Sequence, residues 1–387
     1  MIYIFWICFS IVVYTYFGYG LCLFLIVKIK RLCGGKTTIC TNYEPNITLM
    51  VAAYNEEICI RDKIINTLSL HYPKDKIEYL FVTDGSNDKT PDIVKEFPEI
   101  KLLHNQQRQG KIMAVERAMA HAVGDVVIFT DANTILNKDV LKNIVRNFSN
   151  EKVGVVAGEK RIMKMVADEA VGAGEGFYWK YESKLKMWDD ELYSVMGAAG
   201  ELFAIRTDLY ESIPTDTIIE DFYLSFKILQ KGYKIAYEPE AYAMEEPSAS
   251  IKEELKRKIR IAAGGIQSII RLKELLNPFR YGIVTFQYIS HRVLRWTLAP
   301  LVQPIIFILN MFLLDQGWIY KLIFIGQVSF YLAALIGFIF EKMYIKIKLL
   351  FIPYYFCMMN YAVYIGFLRY LKGNQSVLWE KSTRRTI

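Results

Sequence analysis

Long runs of apolar residues without a single charge lie at both ends of the chain. They cover residues 1–27, 296–314, 322–340 and 349–368. A helix needs about 20 apolar residues to cross the hydrocarbon core of a bilayer, so this pattern predicts four membrane helices. Pro300 and Pro304 are expected to kink the second of them, which membrane helices tolerate when neighbouring groups bind the freed carbonyls. The first run lacks the basic start of a signal peptide, and its alternative interpretation is a buried core helix.

Basic residues beside these runs predict how the helices are oriented. The positive-inside rule places the basic segments 28–36 and 341–348 in the cytoplasm and the charge-poor segment 315–321 outside. Four crossings would then put the basic tail, 371–387, on the outside, where the rule does not expect it. Either one segment is re-entrant or the rule fails here, and the sequence leaves both open.

The middle of the chain, from about residue 45 to 245, alternates short apolar runs with amphipathic stretches. Strands are predicted at 47–54, 77–84, 100–105, 125–133 and 153–162. Helices are predicted at about 57–70, 111–121 and 139–148, and a further helix is predicted to begin at about residue 90. Strands that alternate with helices are typical of a parallel sheet covered by helices on both faces. Ligands of such sheets bind beyond the carboxyl ends of the strands.

Polar residues cluster where three of these strands end. The first strand leads into 54–57, the second into 84–88 and the fourth into 131–133, and each segment contains Asp, Asn or Glu. Any one of them is explained by helix capping or by a turn. The three segments are expected at the same edge of the sheet, opposite Lys111 at the start of a predicted helix. This common position instead indicates a ligand site.

The composition supports a chain with a membrane part and a water-soluble part. Of its 387 residues, 53% are apolar and 22% are charged, and the mean hydropathy is +0.19. The charged share excludes a protein made only of membrane helices, and the positive mean argues against a purely soluble enzyme. A net charge of +7 suits anionic headgroups or phosphates but is too diffuse for nucleic acid. The six cysteines have neither disulfide nor zinc spacing.

Six short motifs follow one another along the chain. They are AAYNEE at 52–57, DGSNDKT at 84–90, GKIMAVERAMA at 110–120, TDAN at 130–133, GAAGELFAIR at 197–206 and IEDFYLSFKILQKGYKIAYEP at 219–239. In this order they resemble a membrane-bound family 2 glycosyltransferase, a group that includes chitin-, cellulose- and hyaluronan-synthase-like enzymes. The resemblance implies an α/β fold, the GT-A nucleotide-diphospho-sugar transferase domain with a mostly parallel sheet.

The resemblance and the apolar runs together imply a multi-pass cell-membrane protein whose catalytic domain is cytoplasmic. Its segments are a transmembrane anchor at 1–27, the GT-A catalytic domain at 45–248, amphipathic interfacial helices at 249–290, a transmembrane bundle at 291–370 and a basic tail at 371–387. The implied partners are a UDP-sugar donor, a glycan or lipid-linked acceptor and the lipid bilayer. A homodimer or an export partner stays open.

Donor-binding roles follow from matching the motifs residue by residue. Asp84 and Glu56 suit a base or a ribose, because a carboxylate accepts hydrogen bonds from hydroxyl groups, and Tyr54 and Asn55 belong to the same turn as Glu56. Lys111 opens a predicted helix, so its ammonium and the helix N-terminus both suit phosphate. The alternative interpretation of Lys111 is a solvated surface lysine.

A divalent cation, Mg²⁺ or Mn²⁺, is implied at Asp131 and Asn133. These residues occupy the position of the family's D-x-D metal motif. Hard cations take oxygen ligands, and Mg²⁺ usually takes only one or two of them from protein. Because Asn133 supplies an amide oxygen in place of a carboxylate, we expect weaker metal affinity than with the usual motif.

The family's general base matches Asp221. A sugar hydroxyl is a poor nucleophile, and a carboxylate within hydrogen-bond reach takes its proton as it attacks the anomeric carbon, which is thereby inverted. The alternative is that this acid only stabilises a helix N-terminus. The acceptor site is implied at Gly197, Gly200 and Glu220, although a plain glycine turn is equally consistent. Trp179 suits either sugar stacking or a membrane interface.

Two arginines after the catalytic domain bear on whether the product is a polymer. Arg257 and Arg260 match the (Q/R)-x-x-R-W motif of polymerising members and suit the donor diphosphate, since guanidinium groups pair bidentately with phosphate. Ile261 replaces the tryptophan, which leaves a single-addition transferase as the alternative to a polymer synthase. The surrounding stretch, 253–276, also has the pattern of an amphipathic helix on an anionic leaflet. A non-catalytic membrane scaffold or export component is the third hypothesis, against which the retained acidic residues argue.

Overall fold

Two units make up the described chain in the computed structural model. The structure describes residues 1–34, 42–163, 171–248, 250–343, 345 and 347–373, with side chains for all of them except 171–179. The sheet unit comprises 30–34, 42–163 and 186–248, and the helical unit comprises 1–29, 171–185 and the described residues from 250 to 373. The predicted basic tail lies outside the described residues, apart from 371–373.

Eight strands form one sheet in the sheet unit. They are β1 (Ile47–Ala53), β2 (Ile77–Asp84), β3 (Ile100–Asn105), β4 (Val126–Asp131), β5 (Thr134–Leu136), β6 (Val153–Ile162), β7 (Leu202–Arg206) and β8 (Lys234–Glu245). Their order is β3-β2-β1-β4-β7-β6-β8-β5. Neighbours are parallel in the pairs β1–β2, β1–β4, β2–β3 and β6–β8, whereas β7 runs antiparallel to β4 and β6, and β5 to β8. The mostly parallel α/β sheet predicted from the sequence is therefore confirmed.

The helices alternate with the strands in the sheet unit and continue alone in the helical unit. They are α1 (Ile2–Val13), α2 (Tyr19–Leu32), α3 (Ile60–Leu68), α4 (Thr90–Lys95), α5 (Lys111–Met119), α6 (Val140–Val145), α7 (Val171–Leu192), α8 (Glu220–Gln230), α9 (Ile251–Arg271), α10 (Pro278–Tyr281), α11 (Ile283–Tyr288), α12 (Leu294–Trp296), α13 (Leu298–Phe312), α14 (Trp318–Lys342) and α15 (Lys348–Leu371). Two π-helical turns, Tyr14–Gly18 and Ile289–Val293, connect α1 to α2 and α11 to α12.

The central strands of the sheet are buried along their length. Every residue of β1 is buried, and Val51 and Ile128 expose none of their surface. Strands of parallel sheets are apolar on both faces because helices cover both sides, and this is why their positions could be predicted. The helix α3 is shorter than expected, since the carbonyl of Glu56 already accepts the amides of Cys59 and Ile60 in a turn.

The helical unit contains the apolar helices that the sequence predicted. Among the described residues, three helices are long and apolar enough to cross a membrane, namely Ile2–Leu32, Trp318–Lys342 and Lys348–Leu371. The pair Ile283–Trp296 and Leu298–Phe312, bent by 56°, adds a fourth if it forms one span. The predicted run 296–314 is therefore broken near its start, at Thr297. Pro300 accounts for the break, because its ring would clash with the carbonyl of Trp296 in a continuous helix, whereas Pro304 stays inside α13.

A buried carboxylate joins α7 to the segment before α13. Glu182 accepts hydrogen bonds from Arg292 (3.1 Å) and Arg295 (2.8 Å), and its Oε1 lies 3.0 Å from Nε2 of His291. Burial by itself raises the pKa of Glu182, but His291 and the two arginines outweigh burial and hold that pKa well below its usual range. Glu182 thus stays charged and fastens these helices of the helical unit together.

Helices α9 and α15 pack closely where small residues face each other. An ideal Cβ on Gly366 would lie 2.8 Å from the Cβ of Ala262 and 2.9 Å from the carbonyl oxygen of Ile259. All residues of α9 from 262 to 269 are buried. This burial describes the packing of α9 within the helical unit, and the interfacial position predicted for 253–276 stays a prediction.

Replacing Gly366 by Ala should destabilise the helical unit, because the new methyl group overlaps α9 unless the two helices move apart. Overpacking of this kind costs about 1–3 kcal/mol, and we expect a lower Tm in thermal unfolding of the detergent-solubilised protein. Gly326→Ala in α14 is the matched control, since a Cβ there meets no described atom within 4 Å and Ala favours a helix over Gly. Equal Tm values for the two variants would argue against this packing.

Candidate active site

The carboxyl ends of β1, β2 and β4 lie side by side at one edge of the sheet. Asp84 and Asp131 are the last residues of β2 and β4, and residues 54–57 follow β1 directly. Because β1 is the parallel neighbour of both other strands, the three segments meet at this edge. The structure thus brings together the polar segments from which the sequence predicted a ligand site.

Asp84 holds the loop that leads into α5. Its Oδ2 accepts hydrogen bonds from the backbone amides of Gln109 (2.8 Å) and Gly110 (2.6 Å), and its Oδ1 lies 3.5 Å from Nη2 of Arg117. The sequence predicted that Asp84 contacts the base or the ribose. The structure adds a role that was not predicted, which is to fix the start of the helix that carries Lys111.

A turn held by two asparagines connects β1 to α3. Asn55 has a φ of 54°, which asparagine tolerates better than most residues. Its side chain donates to Oδ1 of Asn87 (2.7 Å) and accepts from the amide of Asn87 (2.9 Å). Glu56, the next residue, is buried in this turn. Tyr54, the residue before, lies with its ring 3.8 Å from the guanidinium carbon of Arg108.

Arg108 is a residue of this edge that sequence reasoning missed. The run RQGK at 108–111 places it three positions before Lys111, and this proximity to the predicted phosphate-binding lysine was the available signal. A Cβ on Gly85 would lie 2.5 Å from that of Arg108, so the loop after β2 and the loop before α5 touch here. Glycine at position 85 is what permits this close approach.

Lys111 is paired with two carboxylates. Its Nζ lies 3.0 Å from Oδ1 of Asp131 and 2.9 Å from Oε1 of Glu220. Burial by itself lowers the pKa of Lys111, but Asp131 and Glu220 outweigh burial and raise that pKa above its usual value. Lys111 is therefore a fixed cation that joins the end of β4 to the start of α8, and the interpretation as a solvated surface lysine is excluded.

Asp221 lies next to this ion-paired group. Burial raises the pKa of Asp221 to about 7, and the charge of Glu220 acts in the same direction, whereas Lys111 lowers it. An ideal Cβ on Gly200 would lie 3.4 Å from Oδ2 of Asp221 and 3.6 Å from Nζ of Lys111, so the glycine leaves space beside both groups. An acid that only stabilised a helix N-terminus would have a lowered pKa. The raised pKa instead suits a group that accepts a proton near neutral pH.

Asp131 and Asn133 have the chemistry of a divalent cation site. The Oδ1 atom of Asn133 is buried and has no hydrogen-bond partner among the described residues. An unpaired amide oxygen two residues after a carboxylate in the sequence fits Mg²⁺ or Mn²⁺, which take oxygen ligands and fill their other positions with phosphate and water. In the described part of the chain, no group of three or more His, Cys, Asp or Glu side chains is arranged to hold a metal.

A cavity opens between the sheet and the helices α5 and α8. Its polar side chains include Lys111, Asp131 and Glu220, and Gly200 also lines it. The remaining wall is mainly apolar and includes Met50, Ile112, Phe129, Phe203 and Leu224. Residues predicted for the donor phosphate, the metal and the acceptor therefore line one cavity.

The two predicted glycines have different surroundings. Gly197 has a φ of 99°, and a Cβ there would lie 2.5 Å from the ring of Phe222. The backbone conformation and the packing against Phe222 both require glycine at position 197. This corresponds to the alternative interpretation, in which the segment is a plain glycine turn. Gly200, by contrast, borders Asp221 and the cavity.

Three further predicted site residues belong to the helical unit. The side chain of Trp179 lies outside the described part of the chain. Arg257 and Arg260 belong to α9 in the helical unit, where Nε of Arg257 lies 3.2 Å from Oε2 of Glu254. The roles of these three residues therefore stay predictions.

The match to a known family decides the class of this domain. The model of glycosyl transferase family 2 matches residues 48–213, which contain Asp84, Lys111, Asp131 and Gly200. Residues 48–213 are a family 2 glycosyltransferase domain. The predicted glycosyltransferase class is thus confirmed.

Two relatives share part of this chain. The probable glycosyltransferase YdaM of Bacillus subtilis (strain 168) is 25% identical over 289 residues, which cover 69% of this chain and 67% of that protein. The poly-beta-1,6-N-acetyl-D-glucosamine synthase of Staphylococcus aureus (strain COL) is 29% identical over 236 residues, which cover 58% of this chain and 56% of the synthase. The matched part is thus little more than half of the synthase.

A solved structure shares the fold. The mannosyltransferase PcManGT from Pyrobaculum calidifontis, in complex with GDP-Man and Mn²⁺, matches with a TM-score of 0.73 over 96% of this chain and 100% of that chain. The sequence identity is 21%, so the likeness concerns the fold alone. It agrees with the GT-A-like α/β fold predicted from the sequence.

The two glycines should respond differently to the same substitution. Gly200→Ala places a methyl group at ordinary contact distance beside Asp221 and Lys111, so we expect an unchanged Tm and about tenfold slower sugar transfer. Gly197→Ala should lower the Tm, because alanine strains a positive φ at a cost above about 1 kcal/mol and overlaps Phe222. Thermal unfolding and nucleotide release, measured on both variants, check this. A lower Tm with full transfer in Gly200→Ala would contradict the assignment.

Proposed function

We propose that this chain is a membrane-embedded inverting glycosyltransferase. It uses a UDP-sugar together with Mg²⁺ or Mn²⁺ and transfers the sugar to a hydroxyl of a glycan or lipid-linked acceptor, in polysaccharide or cell-envelope glycan synthesis. The observation that carries the proposal is the position of Lys111, within 3.0 Å of Asp131 and Glu220, with Asp221 next in the chain. A phosphate-binding cation, a metal ligand and a general base are thus contiguous in a family 2 glycosyltransferase fold.

The proposed reaction is a single displacement. Asp221 takes the proton of the acceptor hydroxyl as that oxygen forms a bond to the anomeric carbon. The bond from this carbon to the donor diphosphate breaks, and the nucleoside diphosphate leaves with the electron pair. Attack from the face opposite to the leaving group inverts the anomeric carbon. A pKa of about 7 leaves Asp221 substantially ionised at neutral pH and basic enough to accept the proton.

Lys111 faces the negative charge that develops on the departing diphosphate. A preorganised cation in a partly buried site stabilises such charge more than it would in water. Asp131 and Asn133 would hold the metal, which supplies additional positive charge to the diphosphate when it is bound. The presence of GDP-Man and Mn²⁺ in the solved mannosyltransferase of the same fold supports a nucleotide sugar and a divalent cation for this chain.

The remaining site residues are assigned from their positions along the same edge. We assign Glu56 and Asp84 to the nucleoside and Gly200 to the space that the acceptor enters beside Asp221. The arginines at 257 and 260 are proposed as diphosphate ligands on the strength of the motif alone. A cytoplasmic location of the sheet unit rests on the basic residues that follow the first apolar helix.

Whether the product is a polymer is a separate part of the proposal. The relative from Staphylococcus aureus is named a polysaccharide synthase, which supports polymer synthesis. The replacement of the motif tryptophan by Ile261 favours single addition to a lipid-linked acceptor. The length distribution of products, measured by mass spectrometry, separates the two.

Purified protein in native-like membranes should release UDP from at least one UDP-sugar when Mn²⁺ and a lipid extract are present. Asp221→Asn should slow this release by about 10²- to 10⁴-fold and leave donor binding intact. Asp190→Asn is the matched control, because burial also raises the pKa of Asp190 to about 7. The charged groups near Asp190 are Lys234, Glu238 and Asp189, none of which is a predicted site residue.

The donor screen includes GDP-mannose, because the solved mannosyltransferase binds it. Release of GDP in place of UDP would show that the donor is GDP-mannose and not a UDP-sugar. The proposed transferase activity would then still stand. The proposed mechanism would be overturned if the protein released no nucleoside diphosphate from any nucleotide sugar. It would also be overturned if Asp221→Asn and Asp190→Asn slowed this release equally.

The transfer rate should depend on pH through Asp221. Its raised pKa means that the ionised base is lost as the pH falls below about 7, so kcat/KM should drop about tenfold per pH unit on the acid side. Initial rates at subsaturating donor, measured from about pH 5 to 8, give this profile. In Asp190→Asn, kcat/KM should fall at low pH as it does in the wild type. A wild-type kcat/KM that does not change over this pH range would refute the role of Asp221.

A further inference from the structure

A lysine is completely buried beneath the predicted metal-binding turn. Lys63 lies on α3 and exposes none of its surface. Its ammonium donates to Oγ1 of Thr130 (2.9 Å), to the carbonyl oxygen of Thr134 (3.0 Å) and to Oγ1 of Thr134 (3.1 Å). An ammonium group has three donors, and here each of them has an acceptor.

The acceptors of Lys63 bracket the residues predicted to bind the metal. Thr130 directly precedes Asp131, and Thr134 directly follows Asn133. The hydroxyl of Thr134 also donates to the carbonyl oxygen of Asp131 (2.8 Å) and lies 3.0 Å from the hydroxyl of Thr130. The two ends of the turn are thus tied to each other and to one ammonium group.

The burial of Lys63 has a free-energy cost that a purely apolar contact would avoid. Removing a charged amine from water is expensive unless every donor is satisfied. The acceptors that satisfy it here all belong to the metal-binding turn. A side chain that only filled space in α3 would not require an amine whose hydrogen bonds all go to Thr130 and Thr134.

We propose that Lys63 is a positioning residue that holds Asp131 and Asn133 in the geometry needed for the divalent cation. The inference rests on the proposed function, because it assigns the metal to this turn. Residues that orient metal ligands from behind typically affect metal affinity by about 10- to 100-fold. Lys63 itself touches neither substrate nor metal in this assignment.

The test is metal affinity, measured separately from activity. Lys63→Met keeps the length of the side chain and removes the three donors. In the full-length protein with saturating UDP, titration with Mn²⁺ followed by electron paramagnetic resonance should show about 10- to 100-fold weaker binding. Hydrogen exchange of the amides at 130–134 should become faster in the same variant without metal. UDP affinity measured without metal should change little.

Thr67→Val is the matched control for Lys63→Met. Thr67 lies one turn further along α3, is equally buried and has a hydroxyl without a hydrogen-bond partner among the described residues. We expect wild-type affinity for Mn²⁺ and wild-type exchange at 130–134 in this variant. Equal weakening in both variants would show a general effect of disturbing α3 and would overturn the proposal.

The remaining outcomes separate this inference from the proposed function. If wild-type protein with UDP binds no Mn²⁺, the metal assignment in the proposed function fails. If the wild type binds Mn²⁺ and Lys63→Met binds it equally well, only the positioning role fails. Should Lys63→Met not fold, Lys63→Gln removes the amine and keeps a polar side chain at this position. Its Mn²⁺ affinity should then be weaker in the same direction, and an unchanged affinity would overturn the positioning role.

Discussion

The candidate site depends on one ammonium group shared by two carboxylates. Lys111 at the start of α5 pairs with Asp131 at the end of β4 and with Glu220 at the start of α8. Three elements that are distant in the sequence are thereby fixed to a single point. Without this cation, the half-buried acids at 131, 220 and 221 would repel one another. The remaining repulsion between Glu220 and Asp221, together with burial, is what raises the pKa of the proposed base.

Two of the groups proposed to act on the substrate are held in position by other side chains. Asp84 binds the two amides before Lys111 and so fixes where α5 begins. Lys63 binds the ends of the turn that contains Asp131. One support is the end of the parallel strand β2 and the other is the helix α3, and the direction of the parallel strands places the groups that they hold at the same edge. The precision of the site therefore derives from the sheet rather than from its loops.

The sequence predicted the centre of the sheet because β1, β2 and β4 are buried and apolar, and strand direction alone predicted that their polar ends would meet. The strands β5, β7 and β8 were missed, and for β5 and β7 the reason is that short apolar runs do not distinguish strands from other buried segments. The pairing of Lys111 with Glu220 is a tertiary contact that no local pattern encodes. Lys63 was missed for a related reason: a lysine in an amphipathic helix is typical of a solvated face, and only the packing of α3 reveals that it is buried.

The raised pKa of Asp221 also bears on how the proposed enzyme returns to its starting state. Every transfer leaves one proton on this carboxyl group, and the next cycle requires that the proton be given back to water. A much stronger acid would give it up readily but assist the attacking hydroxyl little, whereas a much weaker acid would assist well and then remain protonated. A group whose pKa lies close to the pH of its surroundings serves both halves of the cycle.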